Sequence, residues 1–386
     1  MEKESIATRA LIEHEKWRGK IEVASRVHIS SMDDLSMAYT PGVAEPCREI
    51  HRDKRKVYQY TRKWNTIAVV TDGTAVLGLG DIGPEAGLPV MEGKALLFKE
   101  FAGVDAVPIA LATKDPDEIV NTVTAIAPTF GGINLEDISA PRCFDIERRL
   151  IEKLDIPVFH DDQHGTAIVV LAGLMNALEL TGKDINTCRI VINGAGSAGI
   201  ACAHLLLSAG TGSIMMCDKF GIISEGMDCL NSAQQDIAKL TNRSRLTGSL
   251  ADAMQGADVL IGVSAPGAVS SEMVRSMNSG AIVFAMANPI PEIFPEQAIK
   301  AGAAIVGTGR SDYPNQVNNV LAFPGIFRGV LDSGARLITN EIKIAAAKAI
   351  ADTAKKDGLA ATRILPNPLD KRVAQNVADA VAAQVR

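Results

Sequence analysis

Two pairs of acidic residues stand directly after apolar stretches that have the composition of buried strands. Glu136 and Asp137 follow "GGINL", and Asp161 and Asp162 follow "IPVFH". Because the carboxyl ends of neighbouring parallel strands meet at one edge of a sheet, these strands could bring four carboxylates together. Unpaired negative charge is costly in such a place, and all-oxygen ligands suit Mg²⁺ or Mn²⁺ rather than zinc. The spacing leaves two interpretations: a divalent metal site, or acids that cap the following helices, as Asp162 could before "QHGTAIVV".

Histidine and cysteine residues give no metal-site pattern of their own. His160 and His164 flank the second acidic pair, and we interpret them as solvated or hydrogen-bonded loop histidines rather than ligands. The six cysteines are scattered without a C-x-x-C pair, and the start "MEKESIATRA" has no apolar signal core. The sequence therefore predicts a protein of the reducing cytoplasm.

A glycine-rich stretch follows the β-rich "RIVI" and precedes a helical run. It consists of Gly194, Ala195, Gly196, Ser197, Ala198 and Gly199. In this G-x-G-x-x-G register, the first glycine makes a tight turn, the second lets the backbone approach a pyrophosphate, and the third allows close helix–strand packing. An ordinary strand-to-helix turn is the alternative, but the strand, the helix and a later acid coincide here. The stretch therefore predicts a dinucleotide site.

The later acid is Asp218, at the end of "IMMCD" and 19 residues after the last glycine. Its carboxylate would accept hydrogen bonds from the adenosine ribose hydroxyls and would repel a 2′-phosphate. Lys219 follows directly and could offset that charge. We predict NAD as the cofactor, with NADP as the alternative.

Charge and composition exclude two classes of partner. The 386 residues carry 39 Lys plus Arg against 45 Asp plus Glu, a net charge of −6, so no global positive field is available for nucleic acid or an anionic membrane. The longest apolar runs are followed by charged residues and are shorter than a membrane span. We therefore expect a small-molecule ligand and predict neither a nucleic-acid nor a membrane partner.

The order of the predicted elements defines the fold class. Strands and helices alternate from Asn65 onward, which predicts an α/β protein with a mostly parallel sheet. A second, doubly wound α/β unit begins after Gly182, and an Ala-rich helical region begins at Ser333. We predict an N-terminal α/β domain of residues 1–162, a Rossmann NAD(P)-binding domain of residues 163–318, and a C-terminal helical segment of residues 319–386 that packs back on both.

Several motifs, in order, resemble those of a malic enzyme of the compact bacterial type. They are "LSMAYTPGVA", "VVTDGTAVLGLGDIGP", "MEGKALLFKEFAGVDAVPI", "INLEDI", "FHDDQHGTA", "GAGSAG", "ANP" and "NQVNNVLAFPG". The resemblance spans about residues 36–330 and implies oxidative decarboxylation of L-malate to pyruvate and CO₂ with reduction of NAD(P)⁺. It also implies that Glu136, Asp137 and Asp162 bind Mg²⁺ or Mn²⁺, and that the N-terminal domain is catalytic.

The resemblance assigns roles that the residues alone do not. It implies that Lys94 is the general base, that Tyr39 is the general acid, and that Asp161 orients Lys94 or the metal-bound oxygen. By themselves, Lys94 is typical of a solvated helix lysine and Tyr39 of a loop tyrosine. A base at neutral pH needs a lowered pKa, which burial beside a metal would supply. Three asparagines are expected at the substrate carboxylates, the first also at the cofactor: Asn288, Asn318 and Asn319.

One position departs from the family pattern. Larger members carry a carboxylate-binding arginine before "LGLGD", where this chain has Ala75. Lys99 and Arg142 are the candidate replacements.

Two other functions are compatible with a cofactor site of this kind. A malolactic enzyme would return the hydride and release lactate, and a dinucleotide-binding module would bind the cofactor without turnover. The presence of Tyr39, Lys94 and the three acids argues against the binding module. The family and general base rates predict a homodimer or a higher homo-oligomer.

Overall fold

The computed structural model describes residues 5–76 and 78–385, so Leu77 of the "VLGLGD" motif lies outside the described residues. The chain begins with short helices that precede the first sheet. They are α1 (Ile6–Trp17), α2 (Met32–Ala38), α3 (Ala44–Arg52) and α4 (Val57–Tyr60). Among the described residues 5–64 none is buried, although this segment is rich in large apolar side chains. The N-terminal segment therefore lies on the outside of the single chain.

The first sheet has four parallel strands in the order β2-β1-β3-β4. The strands are β1 (Thr66–Thr71), β2 (Asp105–Ala110), β3 (Gly132–Leu135) and β4 (Val158–His160), and the helices between them are α5 (Pro84–Ala102), α6 (Pro116–Ile126) and α7 (Arg142–Lys153). Alternate residues of β1 belong to two separate apolar clusters, one on each face of the sheet. Helices thus cover both faces, as a parallel sheet requires.

Helix α8 (Asp161–Thr181) connects the two sheets and is the most buried helix of the chain core. By length and composition this helix could cross a membrane, although the apolar runs of the sequence predict no membrane span. In the folded chain, 67% of its most apolar stretch is buried inside the protein. Asn176 of this helix donates to the backbone carbonyls of Ala351 and Ile364. Such contacts are those of a core helix.

The second sheet has six strands in the order β10-β9-β8-β5-β6-β7, in which all but β7 are parallel. Its strands are β5 (Arg189–Asn193), β6 (Ser213–Asp218), β7 (Gly221–Ile222), β8 (Val259–Gly262), β9 (Ile282–Ala285) and β10 (Ile305–Thr308). Its helices are α9 (Ser197–Ser208), α10 (Ser232–Leu240), α11 (Leu250–Met254), α12 (Ser271–Arg275) and α13 (Pro295–Lys300). The doubly wound prediction is confirmed.

Three further helices complete the chain: α14 (Phe323–Ser333), α15 (Asn340–Lys356) and α16 (Arg372–Ala383). They pack on α5 and α8, as predicted. Helices α14 and α16 approach closely at Gly325 and Gly329, which have no side chain. A Cβ atom on either glycine would lie within 2.7 Å of Val377 or Val381. The two glycines therefore fix this helix pair.

Candidate active site

The predicted acidic residues meet at the carboxyl end of the first sheet. Leu135 of β3 is in register with His160 of β4, so the residues that follow each strand are neighbours. Glu136, Asp137 and Asp162 each offer one carboxylate oxygen, and these three atoms lie within 4.8 Å of one another. The backbone N–H of Asp137 donates to Oδ2 of Asp162 at 2.8 Å, which joins the loop after β3 to the start of α8.

The donor set fits a hard divalent cation. Oδ2 of Asp137 and Oδ1 of Asp161 are buried and have no hydrogen-bond partner among the described residues. Asp137 has φ +54°, a left-handed conformation that aspartate tolerates better than most residues and that turns the chain at this point. Buried carboxylate oxygens without partners are costly, and a cation of the Mg²⁺ or Mn²⁺ type would satisfy them.

The flanking histidines do not join this set. His160 ends β4 and His164 lies in α8, so the prediction that both are loop residues is wrong. His164 is hydrogen-bonded, to Glu147 and Lys343. His160 is fully buried, and burial lowers its pKa.

Lys94 enters the cluster from α5. Its Nζ atom lies 2.5 Å from Oδ2 of Asp161 and 3.0 Å from Oε1 of Glu136, and 4.2 Å from the ring centroid of Phe323. The side chain is buried, so the solvated-lysine interpretation is wrong. One ammonium group thus faces several carboxylates in a site with little solvent.

Burial and the excess of carboxylates shift the pKa values of the groups in the cluster. Burial, assisted by neighbouring carboxylates, raises the pKa of Asp161 to about 7 and also raises the pKa values of Asp137 and Asp162. Burial alone would lower the pKa of Lys94, but Asp161 and Glu136 outweigh it and raise that pKa. The lowered pKa expected for a base is therefore not produced by burial, because the uncompensated carboxylates retain the lysine proton.

Asn319 and Gly165 complete this part of the site. Nδ2 of Asn319 donates to Oδ2 of Asp161 at 2.7 Å, which brings the segment before α14 against the start of α8. A Cβ atom on Gly165 would lie 1.9 Å from Oδ1 of Asp161 and 3.0 Å from Cβ of Asn319. Only glycine at this position leaves room for both side chains.

Other predicted residues are not brought into the cluster. Tyr39 is the residue after α2, its side chain is 68% exposed, and its phenol makes no hydrogen bond to any described residue. Asn318 accepts from the backbone N–H of Val320. Asn288 is exposed on the loop after β9, beside Gly309. The single chain therefore joins Lys94, Asp161, Asn319 and the three acids, but not these three residues.

The two candidates for the missing arginine differ in position. Lys99 pairs with Asp105, at the amino end of β2 and thus away from the carboxylates, so this candidate is wrong. Arg142 donates to Asp72 and to Thr74 beside Ala75, and its Nε atom has no partner among the described residues. Arg142 remains the candidate.

The glycine loop borders a cavity of about 770 Å³. Asn193, Gly194, Gly196, Asp218 and Ser264 are among its lining residues. Gly194 has φ +117°, and a Cβ atom there would lie 2.3 Å from a backbone oxygen; at Gly199 it would lie 1.8 Å from one. A Cβ on Gly196 would meet nothing within 4 Å, so this glycine faces open space. The loop therefore has the predicted form, with space for a pyrophosphate before α9.

Asp218 is held by a residue that the sequence did not single out. Its Oδ2 accepts from Nε2 of Gln234 at 2.7 Å, and the same amide donates to the carbonyl of Ala195 at 3.1 Å. Gln234 thus joins the acid to the glycine loop. Lys219 places its ammonium over the ring of Phe220, 4.9 Å from the centroid, and makes no ion pair with Asp218 among the described contacts. Only the asparagine–glutamine capping pattern of α10 marks Gln234 in the sequence.

Together, the glycine-loop sheet and the adjoining lysine–carboxylate cluster define a two-domain α/β protein of the dinucleotide-dependent class. Residues 18–151 match the family described as malic enzyme, N-terminal domain, and residues 163–386 match malic enzyme, NAD binding domain. The chain belongs to the malic enzyme family. The second match includes α14, α15 and α16, and the predicted boundaries at residues 162 and 318 stay predictions.

Similar proteins are found among enzymes and among solved structures. The bifunctional malic/malolactic enzyme of Bacillus subtilis is 60% identical over 98% of this chain and 92% of its own length. The NAD-dependent malic enzyme of Geobacillus stearothermophilus is 59% identical over 94% and 76%. An NADP-dependent malic enzyme of Rhizobium meliloti is 50% identical over 97% of this chain and 51% of its own length. The malic enzyme structure from Pyrococcus horikoshii is 51% identical, with TM-score 0.95 over 99% of this chain and 90% of that one.

Proposed function

We propose that this protein catalyses the divalent-metal-dependent oxidative decarboxylation of L-malate to pyruvate and CO₂, with reduction of NAD⁺. The observation that carries the proposal is the buried Lys94 ammonium between Asp161 and Glu136, beside three converging acids, in a member of the malic enzyme family. A 2-hydroxy acid at this point needs a base for its hydroxyl proton and an acceptor for negative charge. The cluster offers both.

In this proposal, Glu136, Asp137 and Asp162 hold Mg²⁺ or Mn²⁺. The bound cation would supply Lewis-acid polarisation of the substrate oxygen at C2, which favours enolate formation after CO₂ is lost. It would also neutralise the carboxylates that now hold the lysine proton, which lowers the pKa of Lys94 toward the range of a working base.

The chain's own residues then carry the proton transfers. Lys94 accepts the C2 hydroxyl proton. Oδ2 of Asp161 accepts from both Lys94 and Asn319 and so holds Lys94 in place. A bound nicotinamide ring would supply the acceptor for the C2 hydride. After the C3–C4 bond breaks, Tyr39 donates a proton to C3. Three asparagines and one arginine are proposed to bind the substrate carboxylates: Asn288, Asn318, Asn319 and Arg142. Asn288 is also proposed to contact the cofactor.

NAD is the proposed cofactor, with NADP as the alternative. Asp218 lines the cavity that would hold the adenosine ribose, where its carboxylate accepts from the backbone N–H of Lys219 and from Gln234, and the Lys219 ammonium lies over the ring of Phe220. Relatives of both preferences are similar to this chain. The negative charge of Asp218 supports the proposal of NAD because it opposes a 2′-phosphate.

We also propose a homodimer in which a second copy covers the N-terminal segment. Large apolar side chains there are exposed, among them Val23, Val27, Met32 and Met37, and several such side chains in one segment are typical of a surface that another chain covers. The same segment carries Tyr39, whose phenol makes no hydrogen bond to the lysine–carboxylate cluster of its own chain. A dimer would therefore complete the site. Mixing inactive Tyr39→Phe and Lys94→Met proteins under exchange conditions should restore up to one working site per mixed dimer if Tyr39 acts on the partner's substrate.

The malolactic reaction is the second candidate, because the Bacillus subtilis relative is a bifunctional malic/malolactic enzyme. A dinucleotide-binding module without turnover has no use for the buried Lys94 cluster. We propose a cytoplasmic location, in keeping with six free cysteines in the structure.

The deciding experiment combines malate with NAD⁺ or NADP⁺, with and without Mn²⁺, and quantifies pyruvate, lactate and reduced cofactor. We expect metal-dependent NADH and pyruvate in equal amounts. Lactate without net NADH would favour the malolactic reaction. Cofactor binding without any product would favour the binding module.

A further inference from the structure

A buried carboxylate outside the acidic cluster, that of Glu147 on α7, contacts the start of α8. Its Oε1 atom accepts from the backbone N–H of His160 at 2.9 Å, and its Oε2 atom accepts from Nε2 of Gln163 at 3.3 Å. His160 is the residue that precedes α8, so Glu147 satisfies donors at the helix start, where a negative charge also faces the positive end of the helix dipole.

His164 extends this contact to a third helix. Its Nε2 atom lies 3.0 Å from Oε2 of Glu147, and its Nδ1 atom lies 3.0 Å from Nζ of Lys343 on α15. Because the Glu147 carboxylate can only accept, Nε2 carries the hydrogen that is donated to it, and Nδ1 accepts from Nζ of Lys343. The chain Lys343–His164–Glu147 therefore links α15, α8 and α7 through one defined tautomer.

The charge of Glu147 is kept in this environment. Burial alone would raise its pKa, but His164, His160 and Lys343 outweigh that effect and lower the pKa to about 2. Glu147 is thus an ionised acceptor of three donors, all of which lie within three residues of Asp161 and Asp162.

We propose that Glu147 is a positioning residue for the divalent-metal site, because it fixes the first turn of α8 and with it the carboxylates of Asp161 and Asp162. The proposal rests on the proposed metal site of Glu136, Asp137 and Asp162. Glu147 does not touch that site itself: it acts through the backbone of His160 and the side chains of Gln163 and His164.

The Glu147→Gln variant tests this with little change of volume. Its amide oxygen can still accept from the N–H of His160, but its NH₂ group would face the Nε2–H of His164, donor against donor. His164 must then change tautomer, which costs the bond from Lys343. The matched control is Glu179→Gln, because Glu179 pairs with Lys355 and so joins the same two helices, α8 and α15, through an exposed ion pair.

The measurement is the Mn²⁺ dissociation constant, from the electron paramagnetic resonance signal of free Mn²⁺ without malate, with the NAD⁺ dissociation constant and the melting temperature taken alongside. We expect Glu147→Gln to weaken Mn²⁺ binding about tenfold or more while NAD⁺ binding changes less than twofold. Glu179→Gln should change neither. A merely structural role would weaken the binding of both ligands in proportion to lost stability.

The other possible results of the Mn²⁺ measurement separate the positioning role of Glu147 from the metal site itself. If wild-type protein binds no Mn²⁺, the proposed metal site and this inference both fail. If wild type binds Mn²⁺ and folded Glu147→Gln binds it equally well, only this inference fails. Should Glu147→Gln not fold, Lys343→Met, which removes the donor to His164, is expected to weaken Mn²⁺ binding about threefold; unchanged binding would overturn the positioning role.

Discussion

The Nζ atom of Lys94 lies 2.5 Å from Oδ2 of Asp161, although 67 residues separate them in the sequence. One comes from the middle of α5 and the other from the first position of α8. Both are buried, so the pair needs further compensation beyond its own two charges. A divalent cation held by the neighbouring acids would provide it.

Replacing Lys94 by methionine should remove the base while the apolar part of the side chain stays packed on Phe323. We expect kcat to fall by about 10²–10⁴-fold, the usual range for a general base, with NAD⁺ binding unchanged. Lys99→Met is the matched control, because Lys99 lies on the same helix in an exposed pair with Asp105. A Lys94→Met protein with kcat within threefold of wild type would exclude the proposed base.

Without a divalent cation, Asp137 should destabilise the protein increasingly as the pH rises. Burial and the adjacent carboxylates raise its pKa to about 9, against about 3.9 in an unfolded chain. Between these values the folded state binds more protons than the unfolded state, so the free energy of unfolding falls as the pH increases. In EDTA, urea unfolding should show Asp137→Asn gaining stability over wild type from pH 5 to pH 9. A stability gap that stays constant over this range would contradict the raised pKa.

Gly165→Ala should damage the site by forcing Asp161 or Asn319 to move. The added Cβ would lie 1.9 Å from Oδ1 of Asp161. We expect a loss of kcat of at least about tenfold, as misplaced catalytic groups typically cause. Gly173→Ala in the same helix is the control, because its Cβ would make only ordinary contacts of 3.4–3.5 Å. Equal activity of the two variants would show that Asp161 needs no defined position.

Asp218→Ala should shift cofactor preference toward NADP. The change removes the carboxylate that opposes a 2′-phosphate and leaves Lys219 as the charged residue among those that line the cavity. We expect the ratio of kcat/KM for NADP⁺ to that for NAD⁺ to rise about tenfold or more. The ratio cancels any general loss of activity. An unchanged ratio would move the determinant of preference away from Asp218.

Much of this architecture could be predicted from the sequence because local patterns carry it. Strand order alone places the acids after β3 and β4 together, since parallel neighbours end at one sheet edge. The glycine loop was placed from its own spacing. In both cases a short stretch of chain determines where the groups lie.

Contacts between distant segments could not be predicted in this way. The sequence pattern of α5 does not show that Lys94 is buried, because its partners are on α8 and in the loop after β3. Lys99 was misplaced for the same reason: the pattern gives its distance from Lys94 along the helix but not the end of the sheet that it faces. Glu147 and Gln234 went unnoticed, since each acts on a segment far from it in sequence.

The most direct test of the account is equilibrium Mn²⁺ binding to the wild-type chain and to Asp137→Asn, measured by electron paramagnetic resonance with no malate present. We predict one Mn²⁺ site per wild-type chain and binding weakened about 100-fold or more in the variant, with NAD⁺ binding the same in both. A wild-type chain that binds no stoichiometric Mn²⁺, or a variant that binds it as tightly, would contradict the claim that these carboxylates form a metal site.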